Sequence, residues 1–108
     1  MRKTLKSKQR INEVFNAGKK ISSPGVVLFW SPADQYCHAV LAGKRLGSAP
    51  KRSRAKRRLR AALADLQTLP KAEVVLLATK HTVGRPFGEL QRDLGSAFDK
   101  LANKLKYS

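Results

Sequence analysis

The feature that most constrains this chain is a run of cations from Lys51 to Arg60, in which seven of ten residues carry a positive charge. An isolated basic run is usually a solvated, disordered tail. This run, however, overlaps apolar residues at helical spacing, namely Ala55, Leu59, Ala62, Leu63 and Leu66. The pattern therefore predicts a helix over 54–67 that packs one side against a core and leaves its cations on the other.

Helical periodicity also predicts which cations share the free face. Four residues fall opposite Ala62 and Leu66, namely Ser53, Lys56, Arg57 and Arg60. Arg54 and Arg58 lie to one side of that face. No carboxylate is interleaved with these cations, so they repel one another unless an anion neutralises them. Because arginine matches phosphate oxygens with two parallel hydrogen bonds, the face is predicted to bind a phosphate backbone rather than an acidic protein.

The overall charge points to the same kind of partner. The chain has 108 residues and a net charge of +16, and that length suits one domain, residues 1–108, with one modest core. Such self-repulsion opposes compaction, so a polyanion is the natural partner. The candidates are RNA, DNA and an anionic membrane surface. A basic surface that is merely solvated is the alternative.

Several features bear on where the protein works. No stretch approaches the ~18 consecutive apolar residues of a membrane helix. The segment Met1–Arg10 is basic but lacks the apolar centre of a secretory signal. Cys37 is the only cysteine, which excludes an internal disulfide and suits a reducing compartment. We therefore expect a cytoplasmic protein.

Two further helices are predicted from apolar periodicity. The first covers residues 6–16, with Ser7 as its N-cap and Gly18 just past its end. The last follows Pro86, a residue suited to a first helical turn. One face of this last helix carries Leu90, Leu94, Phe98, Leu101 and Leu105.

The strands are short and rich in β-branched and aromatic residues. We predict a small strand at 19–21, a strand at 26–30 buried on both faces, and strands at 36–42 and 73–79. The turn residues at 31–34 suggest that the strands on either side form a hairpin. With a loop at 43–50, the predicted order is α-β-β-β-α-β-α, an α+β fold with helices packed on a small sheet.

No catalytic or metal site is predicted from the residues. The acids are scattered without a motif, at Glu13, Asp34, Asp65, Glu73, Glu89, Asp93 and Asp99, whereas a hydrolase or a protein magnesium site needs them clustered. Cys37, His38 and His81 lack the spacing of a zinc site. The segment Gly43–Gly47 is too short for a phosphate-binding loop of the P-loop type.

Three stretches resemble the protein subunit of bacterial ribonuclease P. The basic segment 52–60, RSRAKRRLR, resembles that family's signature R-N-R-x-K-R-x-x-R. The preceding segment 44–49, KRLGSA, resembles its lysine-glycine loop, and 11–20 resembles its opening helix and turn. The order of elements also agrees, so the resemblance covers nearly the whole chain. The basic signature is moderately specific alone and strong together with the other two.

The resemblance implies both a fold detail and a function. The fold would contain a left-handed β-α-β crossover. The partner would be ribonuclease P RNA, which performs magnesium-dependent hydrolysis of precursor tRNA and releases its 5′ leader. The protein would bind that RNA and the leader as the non-catalytic component of an endonuclease.

The resemblance also assigns site residues. The RNA-binding set would be Lys44, Arg45, Arg52, Ser53, Arg54, Lys56, Arg57 and Arg60. A cleft for the leader would draw on Ile11, Phe15 and Phe29, although aromatics at such positions are more often simply core. This chain departs from the family at Ile11, where an aromatic is usual, and at Ser53, where the signature has asparagine. Trp30, on the other strand face from Phe29, is predicted to pack under a helix.

Two other classes of protein share the charge. A ribosomal or other structural RNA-binding protein would not require the ordered combination of opening helix, glycine loop and basic helix. A DNA-binding regulator would read base edges in the major groove. The free face of the basic helix offers only Ser53 for that purpose. We therefore expect neither a DNA nor a membrane partner.

Overall fold

A computed structural model of the protein describes residues 3–17 and 19–106. The elements are β1 (Lys3–Thr4), α1 (Lys8–Asn16), β2 (Lys20–Ser23), β3 (Val26–Pro32), β4 (Cys37–Leu41), a 3-10 helix (Lys44–Leu46), α2 (Ala49–Ala64), β5 (Ala72–Ala78) and α3 (Phe87–Lys106). The predicted α+β class and element order are confirmed, with β1 added before α1. Gly18, the predicted stop of the first helix, lies outside the described residues.

The sheet has the strand order β1-β4-β5-β3-β2, with β5 at its centre. The hairpin predicted between 26–30 and 36–42 is wrong, because β5 lies between β3 and β4. It pairs with β3 in antiparallel and with β4 in parallel orientation. The actual hairpin joins β2 to β3. The run Val74–Leu77 takes the central place because it is apolar on both faces, as a strand covered on both sides must be.

The connection from β4 to β5 is a β-α-β crossover. These two strands are parallel neighbours, and parallel neighbours require a long connection that returns to the starting end of the sheet. Here α2 provides that connection. The left hand of the crossover stays a prediction.

Helices cover both faces of the sheet. The larger core cluster joins Leu28, Trp30, Val74 and Leu76 of the sheet to buried residues of α2 and α3. A smaller cluster on the other face joins Val14 of α1 to Leu5, Phe29, Ala39 and Val75. Successive strand residues point to opposite faces, so Phe29 belongs to the α1 side and Trp30 to the α2–α3 side. The predicted burial of Trp30 under a helix is confirmed.

The basic helix begins five residues earlier than predicted. The Ser48 hydroxyl accepts a hydrogen bond from the Lys51 backbone nitrogen at 3.4 Å and caps α2. Pro50, predicted to lie in the loop, occupies the first turn, where its missing N–H leaves no helical hydrogen bond unmade. At the other end α2 stops at Ala64, and Leu66 packs against the larger core from beyond the helix.

The other two helices follow the predicted patterns. Ser7 caps α1 by accepting from the Arg10 backbone nitrogen at 3.3 Å. In α3 the predicted stripe faces the core, with Leu90, Leu94, Phe98 and Leu101 buried and Leu105 packed at the edge. Across the described residues, none of the helices combines the length and apolar character needed to span a bilayer.

The orientation of α2 can be tested at Leu59, which is fully buried. We predict that Leu59→Ala lowers the free energy of unfolding by about 2–5 kcal/mol, because it removes apolar contacts and leaves a cavity. Urea denaturation measures the change. Arg60→Ala, at the adjacent exposed position, is the matched control and is expected to change stability by less than about 0.5 kcal/mol. Equal denaturation midpoints for both variants would contradict the burial of Leu59.

Candidate nucleic-acid interface

The predicted cationic face lies on α2 between residues 53 and 60. Ser53, Arg57 and Arg60 are exposed, whereas Lys56 is half-buried. Arg54 is exposed as well and extends this face sideways. Arg52, at the edge of the core-facing stripe, is half-buried, and its buried Nε makes no hydrogen bond with any part of the chain that the structure describes.

The cations of α2 are not neutralised by the protein. Arg10 pairs with Glu13 and Glu73, and Arg85 pairs with Glu89 and Asp93. In residues 3–17 and 19–106, no ion pair reaches a cation of α2. Side chains three and four positions apart are neighbours on a helix surface. The face is therefore a set of mutually repelling charges that an external anion would stabilise.

Arg58 differs from its neighbours because it bonds within the protein. Its Nε donates to the Thr82 carbonyl at 3.0 Å, and its Nη2 donates to the Arg85 carbonyl. Its guanidinium carbon also lies 5.8 Å from the centroid of the Phe87 ring. Arg58 thus fastens the segment 79–86 to α2. Periodicity indicated only that Arg58 lies beside the free face.

The buried carboxylate of Asp93 also holds the segment 79–86, by binding Arg85. Asp93 is 9% exposed and accepts hydrogen bonds from the Gly25 backbone nitrogen at 3.1 Å and from Arg85 Nε at 2.5 Å. The hydrogen bond to Asp93 raises the pKa of the Arg85 guanidinium, which stays charged. Thr82 Oγ1 donates to the Gly25 carbonyl at 2.7 Å. The segment 79–86, the β2–β3 turn and α3 are therefore held together as one wall beside α2.

Two shallow hollows lie between this wall and α2. One is lined by Pro50, Lys51, Arg54, Arg57 and Val83. The other is lined by Arg54, Arg57, Arg58, Ala61 and Phe87. Arg54 and Arg57 line both. Sequence reasoning did not single out Phe87. The structure leaves it 36% exposed, since α3 begins there.

The loop cations Lys44 and Arg45 lie at a third hollow. Both are exposed on the 3-10 helix, and they rim an apolar depression with Gly43, Leu46, Leu77, Ala78 and Lys80. Gly47 follows with a φ of 116°, a conformation that favours glycine and lets the chain turn into α2. Lys80 is a further cation at this hollow. Sequence reasoning missed it because only the crossover from β4 through α2 to β5 brings it to the same hollow as Lys44.

The three residues predicted for a leader cleft meet on the α1 side of the sheet. The rings of Phe15 and Phe29 stack with centroids 4.3 Å apart. Phe29 is buried and belongs to the smaller core, whereas Phe15 is 36% exposed. Ile11 is half-buried against the same cluster. The half-buried side chains of Val27, Leu41 and Leu77 continue this apolar surface along the sheet.

At one end of the α1 side, Arg10 forms ion pairs with Glu13 and Glu73. Arg10 Nε donates to Glu73 Oε1 at 2.7 Å, and its Nη1 donates to Glu13 Oε2 at 2.6 Å. These hydrogen bonds raise the pKa of the Arg10 guanidinium. Arg10 therefore ties α1 to β5.

The described residues contain no group of three or more His, Cys, Asp or Glu side chains that could hold a metal ion. The carboxylates that do lie close to other charged groups, such as Glu73 and Asp93, are bound by arginines.

A family model described as Ribonuclease P matches residues 1–102 of the sequence. The chain belongs to the ribonuclease P protein family. The family predicted from the basic segment, the glycine loop and the opening helix is therefore confirmed. As a family, these proteins are components of an endoribonuclease complex.

Individual relatives agree with the family assignment. A ribonuclease P protein component of a Nitratiruptor species is 28% identical over 102 residues, which is 94% of each chain. One of Thermus oshimai is 37% identical over 75 residues, covering 69% of this chain and 49% of the relative. The chain thus matches about half the length of the Thermus protein.

Solved structures share the fold. The RNase P protein of Thermotoga maritima has a TM-score of 0.77 at 17% identity, covering 91% of this chain and 96% of that one. The RNase P protein of Staphylococcus aureus has a TM-score of 0.76 at 15% identity, covering 91% and 94%.

The wall beside α2 depends on a close approach that only glycine permits. A Cβ at Gly25 would lie 2.6 Å from Leu90 Cδ1 and 2.8 Å from Asp93 Oδ2. We predict that Gly25→Ala lowers the free energy of unfolding by about 1–3 kcal/mol, because the added methyl group overpacks this contact. Gly84→Ala is the matched control, since a Cβ there meets nothing within 4 Å. Urea denaturation compares the two, and an unchanged midpoint for Gly25→Ala would contradict the described packing.

Proposed function

We propose that this chain is the protein subunit of ribonuclease P, which binds the ribonuclease P RNA and the 5′ leader of precursor tRNA and assists endonucleolytic removal of the leader. The observation that carries the proposal is the row of cations on α2 that no carboxylate of the described chain neutralises. Family membership supports ribonuclease P RNA as the RNA that this row meets. We place this work in the cytoplasm.

The basic helix binds RNA through its phosphates. Arg52, Arg54, Lys56, Arg57 and Arg60 supply the charge, with Ser53 adding a hydroxyl donor and acceptor. A phosphate placed between two of these cations replaces their mutual repulsion with attraction. Such contacts carry little sequence information and make affinity depend steeply on salt. This suits a partner that is recognised by shape and by its backbone.

The α1 side of the sheet binds the leader. The exposed ring of Phe15 is held against Phe29, so a base can stack on it without first ordering the side chain. A stack of this kind contributes about 1–3 kcal/mol. Ile11 adds an aliphatic contact where the family usually has an aromatic. Lys44 and Arg45 lie at the rim of the adjoining hollow, where they can bind the leader phosphates.

In this proposal the protein binds and positions RNA, and it contributes no catalytic side chain. Magnesium ions held by the RNA subunit supply the hydrolytic chemistry. Two acids of the described chain are bound by arginines, Asp93 by Arg85 and Glu73 by Arg10. The two carboxylates thereby support the binding surfaces structurally.

The first test concerns the basic face. We predict that the double variant Arg57→Ala, Arg60→Ala binds ribonuclease P RNA more weakly. If four of the five cations, Arg57 and Arg60 among them, each neutralise one phosphate of single-stranded RNA, the salt slope is about −3, and loss of two cations should reduce it to about −1.5. A salt titration of the affinity measures both.

The control for this test is Lys100→Ala, Lys104→Ala, which removes the same charge from exposed positions on α3. It is expected to keep nearly the wild-type slope. If the two double variants lose equal affinity, net charge rather than the α2 face holds the RNA.

The second test concerns the leader. With cognate ribonuclease P RNA at low magnesium, the protein should stimulate precursor tRNA cleavage. We predict that Phe15→Leu weakens binding of precursor tRNA to the assembled complex by about tenfold, because a base loses its stacking partner. Binding of mature tRNA, which has no leader, should not change.

Asn16→Ala, at the adjacent exposed position of α1, is the matched control for Phe15→Leu. Failure of the wild-type protein to stimulate cleavage would refute the proposed function. Equal losses for precursor and mature tRNA would refute only the role of Phe15.

A further inference from the structure

We infer that Phe87 forms a second base-stacking site, at which an unpaired base of the ribonuclease P RNA stacks on the ring while Arg54 and Arg57 bind the flanking phosphates. The inference rests on the proposed function and adds a site on the α2–α3 side of the sheet. It differs from the leader cleft, which lies on the α1 side.

The first observation is the exposure of the ring. Among residues 3–17 and 19–106, the exposed large hydrophobic side chains are Phe15 and Phe87, each 36% exposed. Phe15 stacks on Phe29 at the leader cleft. Phe87 begins α3, beside the cationic face of α2. An exposed aromatic ring beside unpaired arginines is the combination with which proteins bind single-stranded nucleic acid.

The second observation is that the ring is held in place. The guanidinium of Arg58 lies over it at 5.8 Å, and that guanidinium is itself fixed by the carbonyls of Thr82 and Arg85. Arg58 acts here as a positioning residue. Because a side chain that is already ordered loses less conformational entropy on binding, the ring is prepared to receive a planar group.

The third observation is the charge of the hollow. Its volume is about 380 Å³, and its other lining residues are Arg54, Arg57, Arg58 and Ala61. The closest acid along the chain, Glu89, pairs with Arg85 at 3.7 Å. Within the described ranges, Arg54 and Arg57 have no such partner. The hollow is therefore cationic on one side and aromatic on the other, which complements a nucleotide.

This chemistry favours an unpaired base over a duplex. In a duplex the faces of the bases are covered by their stacked neighbours, and only phosphates and groove edges are accessible. Proteins that recognise RNA loops and bulges stack splayed-out bases on aromatic rings. An acidic polypeptide would satisfy the arginines but would leave the ring without a planar partner.

The test measures binding of cognate ribonuclease P RNA alone, without tRNA, so that the leader cleft does not contribute. Phe87→Leu keeps an apolar side chain but removes the ring. We expect it to weaken affinity by about tenfold and to leave the salt slope unchanged, because no charge is lost. Phe87→Trp should restore the wild-type affinity. Gly88→Ala, at the adjacent exposed position of α3, is the matched control, since a Cβ there meets nothing within 4 Å, and it should bind this RNA as the wild type does.

A purely structural role for Phe87 gives different results. Thermal denaturation first checks that each variant is folded at the assay temperature. If Phe87→Leu does not fold, the test uses the new indole of Phe87→Trp, whose fluorescence a stacked base should quench. The wild-type protein, in which Trp30 is 4% exposed, supplies the baseline. Unchanged fluorescence, or equal weakening by leucine and tryptophan, overturns the proposal.

Further outcomes distinguish an acidic polypeptide from RNA at this site, and failure of the Phe87 site from failure of the proposed function. If polyglutamate binding falls on Phe87→Leu by the same factor as RNA binding, the site takes an acidic polypeptide and the proposal is overturned. If the wild-type protein binds the RNA with a slope of about −3 and Phe87→Leu binds it equally well, the inference fails and the proposed function stands. If the wild-type protein does not bind the RNA, both fail.

Discussion

The apolar contact between α2 and the sheet is the interaction on which the rest of this protein depends. The cations of α2 repel one another, and no carboxylate of the described chain lies among them. The helix is therefore held by its buried side, through Ala55, Leu59, Ala62 and Leu63. Because the core fixes this side, the spacing of the charges is set before any RNA arrives. On the proposed function, a phosphate backbone meets a surface that is already ordered and relieves this repulsion.

A second constraint decides which cations remain available. Arg58 and Arg85 are both used within the protein, one on the carbonyls of the segment 79–86 and the other on the buried Asp93. Asp93 also binds the Gly25 backbone nitrogen. This single carboxylate thus joins α3, the β2–β3 turn and the wall beside α2. Arg58 joins this wall to α2 through its hydrogen bonds to the carbonyls of Thr82 and Arg85, whereas Arg54 and Arg57 stay exposed.

Local periodicity predicted much of this molecule because burial repeats along a helix or strand. It gave the core stripes of α2 and α3, the exposed face at Ser53, Arg57 and Arg60, and the order of elements. It failed where the outcome depends on distant residues. β5 separates β3 from β4 because its apolar run suits the central position, and no local pattern around 31–34 reveals that. The roles of Arg58 and Lys80 likewise depend on partners that the crossover brings near.

The placement of Phe29 and Trp30 on adjacent positions of β3 explains how so small a chain can present two separate surfaces. Phe29 supports Phe15 on the α1 side, whereas Trp30 packs into the core beneath α2 and α3. The sheet separates the surface on the α1 side from the surface on the α2–α3 side. On the proposed function, the leader occupies one side of the sheet and the ribonuclease P RNA the other. The two RNAs therefore do not compete for the same surface. Once the ribonuclease P RNA is bound to α2 and also holds the precursor tRNA, binding of the leader to the α1 side is an event within one complex and is governed by an effective concentration. A flexible basic tail of equal charge would attract both the leader and the ribonuclease P RNA, but it could not fix the position of one relative to the other.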